Sequence, residues 1–330
     1  KAQIKSMTIP DSVTTIGDHA FEDLYDMTAL VIPQNLTSIG ASAFKGCSKL
    51  TGFTMPNTVT SLGNNAFEGC TGLTGISISN TLTTIPSSAF LNCTGLTGVT
   101  IPNSVTKISS HAFYMCNNMT ALNLSNTLTE IGESAFNSCW KLASLSLPNT
   151  VTALGPSAFS DCSGLTGLSI SNTLTVIPVS AFGNCNKLTN VTIPSSVTTI
   201  GNYAFSKCAG FTSLTIPDTV TTIGGKAFSE CTGLTGVSIG SGVTSIGTFV
   251  FDYCTELTEI NVSAGNATYA SDNGVLLNKV QNTVVRCPGG KSGTFTIPNG
   301  YTSIADYAFT SCKGLAGITI PSGITSIGQY

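Results

Sequence analysis

The chain has 330 residues, of which only 9% are charged, and its formal net charge is −3. Nucleic-acid-binding proteins and polybasic membrane-surface proteins need clustered Lys and Arg, so this composition excludes both classes. The sequence has no uninterrupted apolar stretch of about 18 residues, which a membrane-spanning helix would require. We therefore expect no membrane insertion by this segment.

A 23-residue period dominates the sequence. Phe recurs eleven times at this spacing, from Phe21 to Phe251, and Ala precedes it in every copy until Val250. Cys follows three residues after Phe in ten consecutive copies, and Leu24 takes that place in the first copy. Internal repeats of this length are typical of solenoids, in which each repeat packs only against its neighbours. We predict about thirteen such repeats.

The repeat at residues 50–72 shows the role of each position. Its first strand has one buried face, formed by Leu50, Phe53 and Met55. Pro56 has no N–H and ends that strand, and a second short strand follows it. The block at residues 64–70, which contains the Ala-Phe-x-x-Cys motif, is predicted to form one turn of α- or 3₁₀-helix.

The run Leu96-Thr-x-Val-Thr-Ile-Pro-Asn-Ser-Val-Thr-x-Ile, closing with Ala112-Phe113-x-x-Cys116, resembles the BspA-like leucine-rich repeats of bacterial and protist surface proteins. The resemblance covers essentially the whole chain. It implies an α/β fold, a right-handed leucine-rich-repeat solenoid with a parallel β-sheet on its concave face. It also implies an extracellular or cell-surface protein that adheres, without catalysis, to host or matrix proteins or to other cell-surface proteins.

The period is interrupted once. The Ala-Phe pair that follows Phe251 is Ala308-Phe309, 58 residues further on. Asp272-Asn273-Gly274 is a strong turn signal, and residues 275–278 and 283–287 are predicted to pair as a β-hairpin with a polar tip at residues 279–282. This hairpin is either a recognition loop or an irregularity that the scaffold tolerates.

The repeats predict one domain over the whole chain. It is a single leucine-rich-repeat solenoid domain with three parts: regular repeats at 1–262, an irregular repeat with the hairpin insertion at 263–296, and regular repeats at 297–330. Both ends interrupt the repeat pattern, so we expect a longer protein, with signal and anchor segments outside this one. Unprotected strand edges would also allow end-to-end self-association.

The sequence contains few His and Cys residues that could form a catalytic site. His19 and His111 are four repeats apart, roughly 19 Å at the usual strand spacing, which is too far to share a metal ion or a proton. Eleven of the twelve Cys lie in one column, which predicts buried free thiols, whereas Cys287 lies in the hairpin, where a reactive thiol is an alternative. We expect no enzyme activity, no metal and no cofactor.

Two polar columns have structural interpretations. Asn residues that follow the strand-ending position, such as Asn57 and Asn149, are expected to bond to backbone at the turn. Paired outward Thr residues, such as Thr58 and Thr60, suit an exposed strand, and a flat double file of Thr also permits ice binding as an alternative. A measurement of thermal hysteresis would separate these interpretations.

The outward residues of the first strands are small, neutral and almost without aromatics, which favours weak multivalent contact over one strong site. The candidate binding residues are the more varied positions on this face and the polar hairpin tip: Asn123, Ser144, Asn190, Glu259, Lys279 and Gln281. The predicted function is extracellular adhesion or protein recognition. The alternative is a structural stalk or spacer that displays another domain of a longer protein.

Overall fold

The computed structural model describes residues 3–330 and contains two compact units, which meet in the sequence between Leu174 and Thr175. In each unit the chain forms a leucine-rich-repeat-like β-solenoid with parallel strands at a 23-residue spacing. There are about 14 turns of chain, close to the thirteen expected. The assignment of the whole chain to one domain stays a prediction.

Each regular repeat contributes a longer first strand and a two-residue second strand, except the repeat at residues 188–210, which has only the second strand. In the first unit, the first strands are β1 (Ser6–Thr8), β3 (Ala29–Val31), β5 (Gly52–Thr54), β7 (Gly75–Ser77), β9 (Gly98–Thr100), β11 (Ala121–Asn123), β13 (Ser144–Ser146) and β15 (Gly167–Ser169). The second strands are β2 (Thr15–Ile16), β4 (Ser38–Ile39), β6 (Ser61–Leu62), β8 (Thr84–Ile85), β10 (Lys107–Ile108), β12 (Glu130–Ile131) and β14 (Ala153–Leu154).

The second unit repeats this arrangement around an insertion. Its first strands are β18 (Ser213–Ile216), β20 (Gly236–Ile239), β22 (Glu259–Val262), β26 (Ser292–Thr296) and β28 (Gly314–Thr319). Its second strands are β16 (Val176–Ile177), β17 (Thr199–Ile200), β19 (Thr222–Ile223), β21 (Ser245–Ile246), β27 (Ser303–Ile304) and β29 (Ser326–Ile327). The insertion comprises β23 (Tyr269–Asp272), β24 (Val275–Asn278) and β25 (Thr283–Arg286).

Parallel pairing in the regular repeats joins residues that are 23 positions apart, so equivalent side chains form continuous columns. Phe53 lies opposite Ile76 in the first unit, and Leu214 lies opposite Val237 in the second. The motif phenylalanines stack in the same way. The ring centroids of Phe44 and Phe67 are 5.1 Å apart with planes at 15°, and both rings are fully buried. The core is therefore a set of columns, each stabilised by contacts between neighbouring repeats.

The predicted helical turns at the Ala-Phe-x-x-Cys motifs are wrong: no residue from 3 to 330 is helical. Instead, alternate N–H groups bond in different directions. The N–H groups of Lys45 and Cys47 donate to the carbonyls of Ser42 and Phe44 within the same repeat, at 3.1 Å each. The Phe44 N–H donates to the Ala66 carbonyl of the next repeat, at 2.8 Å. Because half of the N–H groups donate to carbonyls of the next repeat, the segment lacks the continuous internal hydrogen bonds that a helix needs.

The predicted hairpin is confirmed and is larger than expected. Strands β24 and β25 pair antiparallel, and β23 pairs antiparallel with β24, so the insertion is a three-stranded meander. The turn between β23 and β24 has positive φ at Asn273 (47°) and Gly274 (78°), as the Asn-Gly signal predicts. At its other edge β25 pairs parallel with β27, with Thr283 opposite Ser303, and the solenoid resumes.

The prediction of buried thiols is confirmed for ten of the eleven column cysteines. All twelve cysteines are free; eleven are buried, including Cys287, and Cys312 is partly exposed. Column thiols donate to the Phe carbonyl of the preceding repeat, as from Cys70 Sγ to Phe44 O at 3.1 Å. Burial raises the pKa of Cys93 and of Cys139 to about 12. These thiols are therefore structural hydrogen-bond donors that resist ionisation.

Threonine and asparagine side chains also connect successive repeats. The Asn57 and Asn149 side-chain oxygens accept from the backbone N–H groups of Asn80 and Asn172, at 3.1 and 3.0 Å. The expectation that these Asn residues bond to backbone is confirmed at both positions. The Thr58 hydroxyl donates to the Leu36 carbonyl at 2.6 Å. These outward Thr side chains therefore satisfy backbone acceptors as well as suiting an exposed strand.

Candidate binding site

The six residues predicted from the sequence are all exposed, and they lie in four different repeats and in the insertion. In the first unit, Asn123 ends β11 and Ser144 begins β13. In the second unit, Glu259 begins β22, and Asn190 lies outside the strands. Lys279 and Gln281 share the loop between β24 and β25. A binding role for this set stays a prediction.

A different surface stands out at the position two residues before each motif Phe, which has a left-handed backbone with φ between 51° and 60°. In the first unit this position holds small or hydrophilic residues: His19, Ser42, Asn65, Ser88, His111, Ser134 and Ser157. In the second unit it holds Ser180 and then a set that we call the ladder: Tyr203, Lys226, Phe249, Tyr307 and Tyr330. Bulky residues rarely adopt this conformation, and such strain often marks functional positions.

The ladder side chains contact one another in order. The Nζ atom of Lys226 lies 5.6 Å from the ring centroid of Tyr203 and 5.6 Å from that of Phe249. Phe249 meets Tyr307 edge to face, with centroids 4.8 Å apart. Tyr307 stacks on Tyr330 at 4.9 Å, with planes at 10°. Cation–π and aromatic contacts therefore fix these side chains in place before any partner arrives.

The ladder combines rigidity with exposure. Tyr203 is 43% exposed, while Lys226, Phe249 and Tyr307 are half-buried. Aromatic side chains carry a large part of the binding energy at protein interfaces, and they lose little conformational entropy when they are already held. The ladder is therefore a better candidate for strong protein contact than the small neutral residues of the strand face.

A cavity of about 440 Å³ adjoins the middle of the ladder. Phe249 and Tyr307 form part of its wall, and the meander contributes Leu276, Asn278 and Thr283. The meander replaces the Ala-Phe-x-x-Cys segment of one repeat. The cavity lies between the meander and the adjoining repeats. Its volume and its mixture of apolar and amide groups suit a single large side chain or a small ligand.

Arg286 spans the gap that the meander creates. It is the only arginine in the sequence, and 8% of its surface is exposed. Its guanidinium donates to Asp252 Oδ1 at 3.1 Å and to the Tyr307 carbonyl at 2.9 Å, so it joins the repeat before the insertion to the repeat after it. Its Nε–H is buried without an acceptor. Arg286 therefore fixes the position of Tyr307 and shapes the cavity wall.

The remaining chemistry-bearing residues lie apart. His19 is exposed and pairs with Glu22 at 2.9 Å, while His111 packs edge to face against Tyr114 at 5.6 Å. Among residues 3–330, His, Cys, Asp and Glu form no group of three that could hold a metal ion. That part of the chain also contains no helix long and apolar enough to cross a membrane.

The sequence carries a signal for the ladder that strand patterns do not reveal. The position two residues before Phe changes from Ser, Asn and His to Tyr, Lys and Phe at Tyr203. Because the composition of this block predicts a helical turn, a row of left-handed positions is not expected there. The neighbours across the insertion, Phe249 and Tyr307, are 58 residues apart and do not follow the period.

Solved structures similar to this chain come from several bacteria. A leucine-rich repeat protein from Bacteroides ovatus is 25% identical, with a TM-score of 0.60 over 78% of each chain. A leucine-rich cell surface protein from Faecalibacterium prausnitzii is 27% identical, with a TM-score of 0.45 over 72% of this chain and 79% of the other. The pneumococcal vaccine antigen PcpA is 19% identical, with a TM-score of 0.57 over 99% of this chain and 79% of the other.

A search of curated proteins found no match. The family model for the BspA-type leucine-rich repeat region matches residues 1–120, 83–211, 198–275 and 290–330. These ranges leave out only the centre of the insertion, which agrees with the 23-residue register and the parallel strand pairing described above. The chain therefore belongs to the BspA-type leucine-rich repeat family.

Proposed function

We propose that this protein is a non-catalytic recognition module of an extracellular or cell-surface protein, and that it binds protein partners through the ladder and the adjoining cavity. The ladder is the observation that carries the proposal. Five successive occupants of one left-handed position contact each other through aromatic or cation–π pairs, and none of the five is buried. Membership of a leucine-rich repeat family supports protein recognition in general.

The cavity suggests how a partner would be held. An aromatic or branched apolar side chain of the partner would enter beside Phe249 and Tyr307 and displace water from the apolar wall. The Asn278 and Gln281 amides at the cavity would favour a partner residue with a polar tip, such as Tyr. Gln281, predicted from the sequence as a binding residue at the hairpin tip, lines this cavity and is part of the proposed site.

The test replaces ladder residues with the residue that fills the same position elsewhere. A triple variant with Tyr203→Ser, Phe249→Ser and Tyr307→Ser keeps the left-handed backbone, because Ser42 and Ser88 already adopt it. Binding of the purified chain to immobilised fibronectin and fibrinogen is measured by surface plasmon resonance. We expect the triple variant to weaken binding at least about tenfold, since aromatic anchors each contribute about 1 kcal/mol or more.

Tyr253→Ser is the matched control. Tyr253 also has positive φ (55°) and is 57% exposed, but it lies two residues after the motif Phe and outside the ladder. Its replacement should leave binding within about twofold, as for other exposed positions. Equal binding by the wild type and the triple variant would contradict the ladder proposal. Failure of the wild type on both matrix proteins, with binding by a longer form of the protein, would favour the spacer alternative.

A further inference from the structure

Cys287 occupies the position that phenylalanine holds in the regular repeats. Its N–H donates to the Ala308 carbonyl at 2.7 Å, just as the Phe44 N–H donates to the Ala66 carbonyl. Cys312 then behaves as an ordinary column thiol of the next repeat. Its sulfur lies 3.4 Å from the carbonyl oxygen of the residue in the Phe position, which is here Cys287, and 3.3 Å from the carbonyl oxygen of Pro288. The insertion has therefore brought two thiols together where every regular repeat pairs a thiol with a phenylalanine.

The surroundings of this pair differ from those of the column. Cys287 is fully buried in a cluster that contains Val284, Phe295 and Ile304, and Cys312 packs against the same cluster while staying partly exposed. The ten regular column thiols are all buried, and their side chains repeat in parallel. The Cys312 sulfur is thus the only one among the described residues that combines access to solvent with a cysteine in the facing position.

We propose that Cys287 and Cys312 are a disulfide-forming pair that locks the insertion to the repeat that follows it under oxidising conditions. The pair lies where the meander replaces the regular hydrogen bonds between the Ala-Phe-x-x-Cys segments of successive repeats. A bond between the two sulfurs would close a loop that contains β26 and β27. Closing such a loop restricts the unfolded chain and so stabilises the folded one.

The chemistry follows ordinary thiol–disulfide exchange with a small disulfide such as oxidised glutathione. The Cys312 thiolate attacks the oxidant, one glutathione leaves as a thiol and a mixed disulfide forms. The Cys287 sulfur then displaces the second glutathione and the protein S–S bond forms. The two protein thiols lose two electrons and two protons, and one molecule of oxidised glutathione becomes two of the reduced form.

The difference in exposure between the two cysteines sets the order of the two steps. Cys312 is partly exposed whereas Cys287 is buried, and the interaction between the two neighbouring side chains lowers the pKa of Cys312 and raises the pKa of Cys287. The partly exposed sulfur is therefore the one that ionises and reacts first, because the thiolate is the nucleophile. The regular column thiols have raised pKa values through burial and should not compete.

The test treats the intact chain with oxidised glutathione at pH 8, blocks free thiols under native conditions and maps cysteine peptides by mass spectrometry. We expect a linked peptide with Cys287 and Cys312, and free thiols at Cys47 to Cys254 that become modifiable only on unfolding. The oxidised protein should melt about 5–10 °C above the reduced protein in its second unit. Cys139→Ser, a change in the regular column, should leave this linkage and this shift intact.

Two outcomes would overturn the proposal. One is a stable mixed disulfide on Cys312 with Cys287 still free. The other is oxidation of regular column thiols at the same rate as Cys312. Cys287→Ser should trap glutathione on Cys312 and abolish the melting shift. Because the linkage is read from the wild-type chain, the result stands even if that variant folds poorly.

Discussion

Phe249 and Tyr307 hold a left-handed backbone that costs bulky residues about 1–3 kcal/mol each. Serine fills the same position in several repeats, so the fold does not demand an aromatic side chain there. What the aromatic rings add is contact along the surface, from Lys226 to Tyr330. At the scale of single residues, the ladder therefore combines an unfavourable local backbone conformation with a rigid row of side chains on the surface.

Gly63 illustrates a second residue-scale constraint, and its replacement by Ala should destabilise the first unit by about 2 kcal/mol. A Cβ at Gly63 would lie 2.2 Å from the Ala41 backbone nitrogen of the preceding repeat. Urea unfolding followed by circular dichroism measures the effect. Gly75→Ala is the control, because a Cβ at Gly75 would have no neighbouring atom within 4 Å. Equal stability of the two variants would contradict close backbone approach as the reason for Gly63.

At the scale of elements, the strands were predictable and the turn block was not. Alternating apolar residues such as Phe53 and Met55 identify a half-buried strand, because side chains alternate along a strand whatever lies beside it. The block around Ala66 and Phe67 has the composition of a short helix. Its conformation depends on N–H groups that bond to the next repeat, and this long-range requirement has no local sequence signature.

The site was predictable only in part for the same reason. The Asn-Gly signal located the turn of the insertion, and Gln281 was placed at its polar tip. Strand β23 was missed because residues 269–272 show little apolar alternation. The cavity and the contact between Phe249 and Tyr307 arise from residues on both sides of the insertion. The spacing of residues in the sequence does not predict a contact across the insertion.

The insertion itself depends on one buried ion pair, and Arg286→Met should cost the second unit about 3 kcal/mol. The Arg286 and Asp252 side chains are only 9% and 13% exposed, so loss of the guanidinium leaves a poorly hydrated carboxylate without a partner. Urea unfolding of the intact chain measures the loss.

The matched control for this change is the double variant Arg286→Met, Asp252→Asn. It should recover part of the stability, because it also removes the uncompensated charge. If the single variant were as stable as the wild type within about 0.5 kcal/mol, the bridge would have no structural role.

At the scale of the whole molecule, the buried thiols should make the protein sensitive to alkali. Burial raises the pKa of Cys93, Cys139 and Cys208 from 9.0 to about 12. Between these values the unfolded chain loses protons that the folded chain keeps. The contribution of these thiols to the free energy of unfolding is therefore fully present below about pH 8.5. It falls as the pH rises toward 12, by about 1.4 kcal/mol per pH unit for each such thiol.

Melting temperatures from pH 7 to 10.5, recorded by circular dichroism with a reductant present, test this dependence. We expect a decline that begins near pH 8.5 and is shallower in a Cys139→Ala variant, which has one thiol fewer to ionise on unfolding. A melting temperature that stays constant up to pH 10.5 would mean that these thiols do not remain protonated in the folded protein.

The constant register of strand pairing governs how such a gene can change in length. Loss or duplication of 23 codons between equivalent points of the regular repeats rejoins surfaces that already fit, since the strand pairing between regular repeats recurs with that spacing. A number that is not a multiple of 23 would put unlike residues into the apolar columns and leave backbone donors without acceptors. We expect natural variants to differ by whole repeats, while the segment from Phe249 to Tyr307, which has no equivalent elsewhere in the chain, keeps its length.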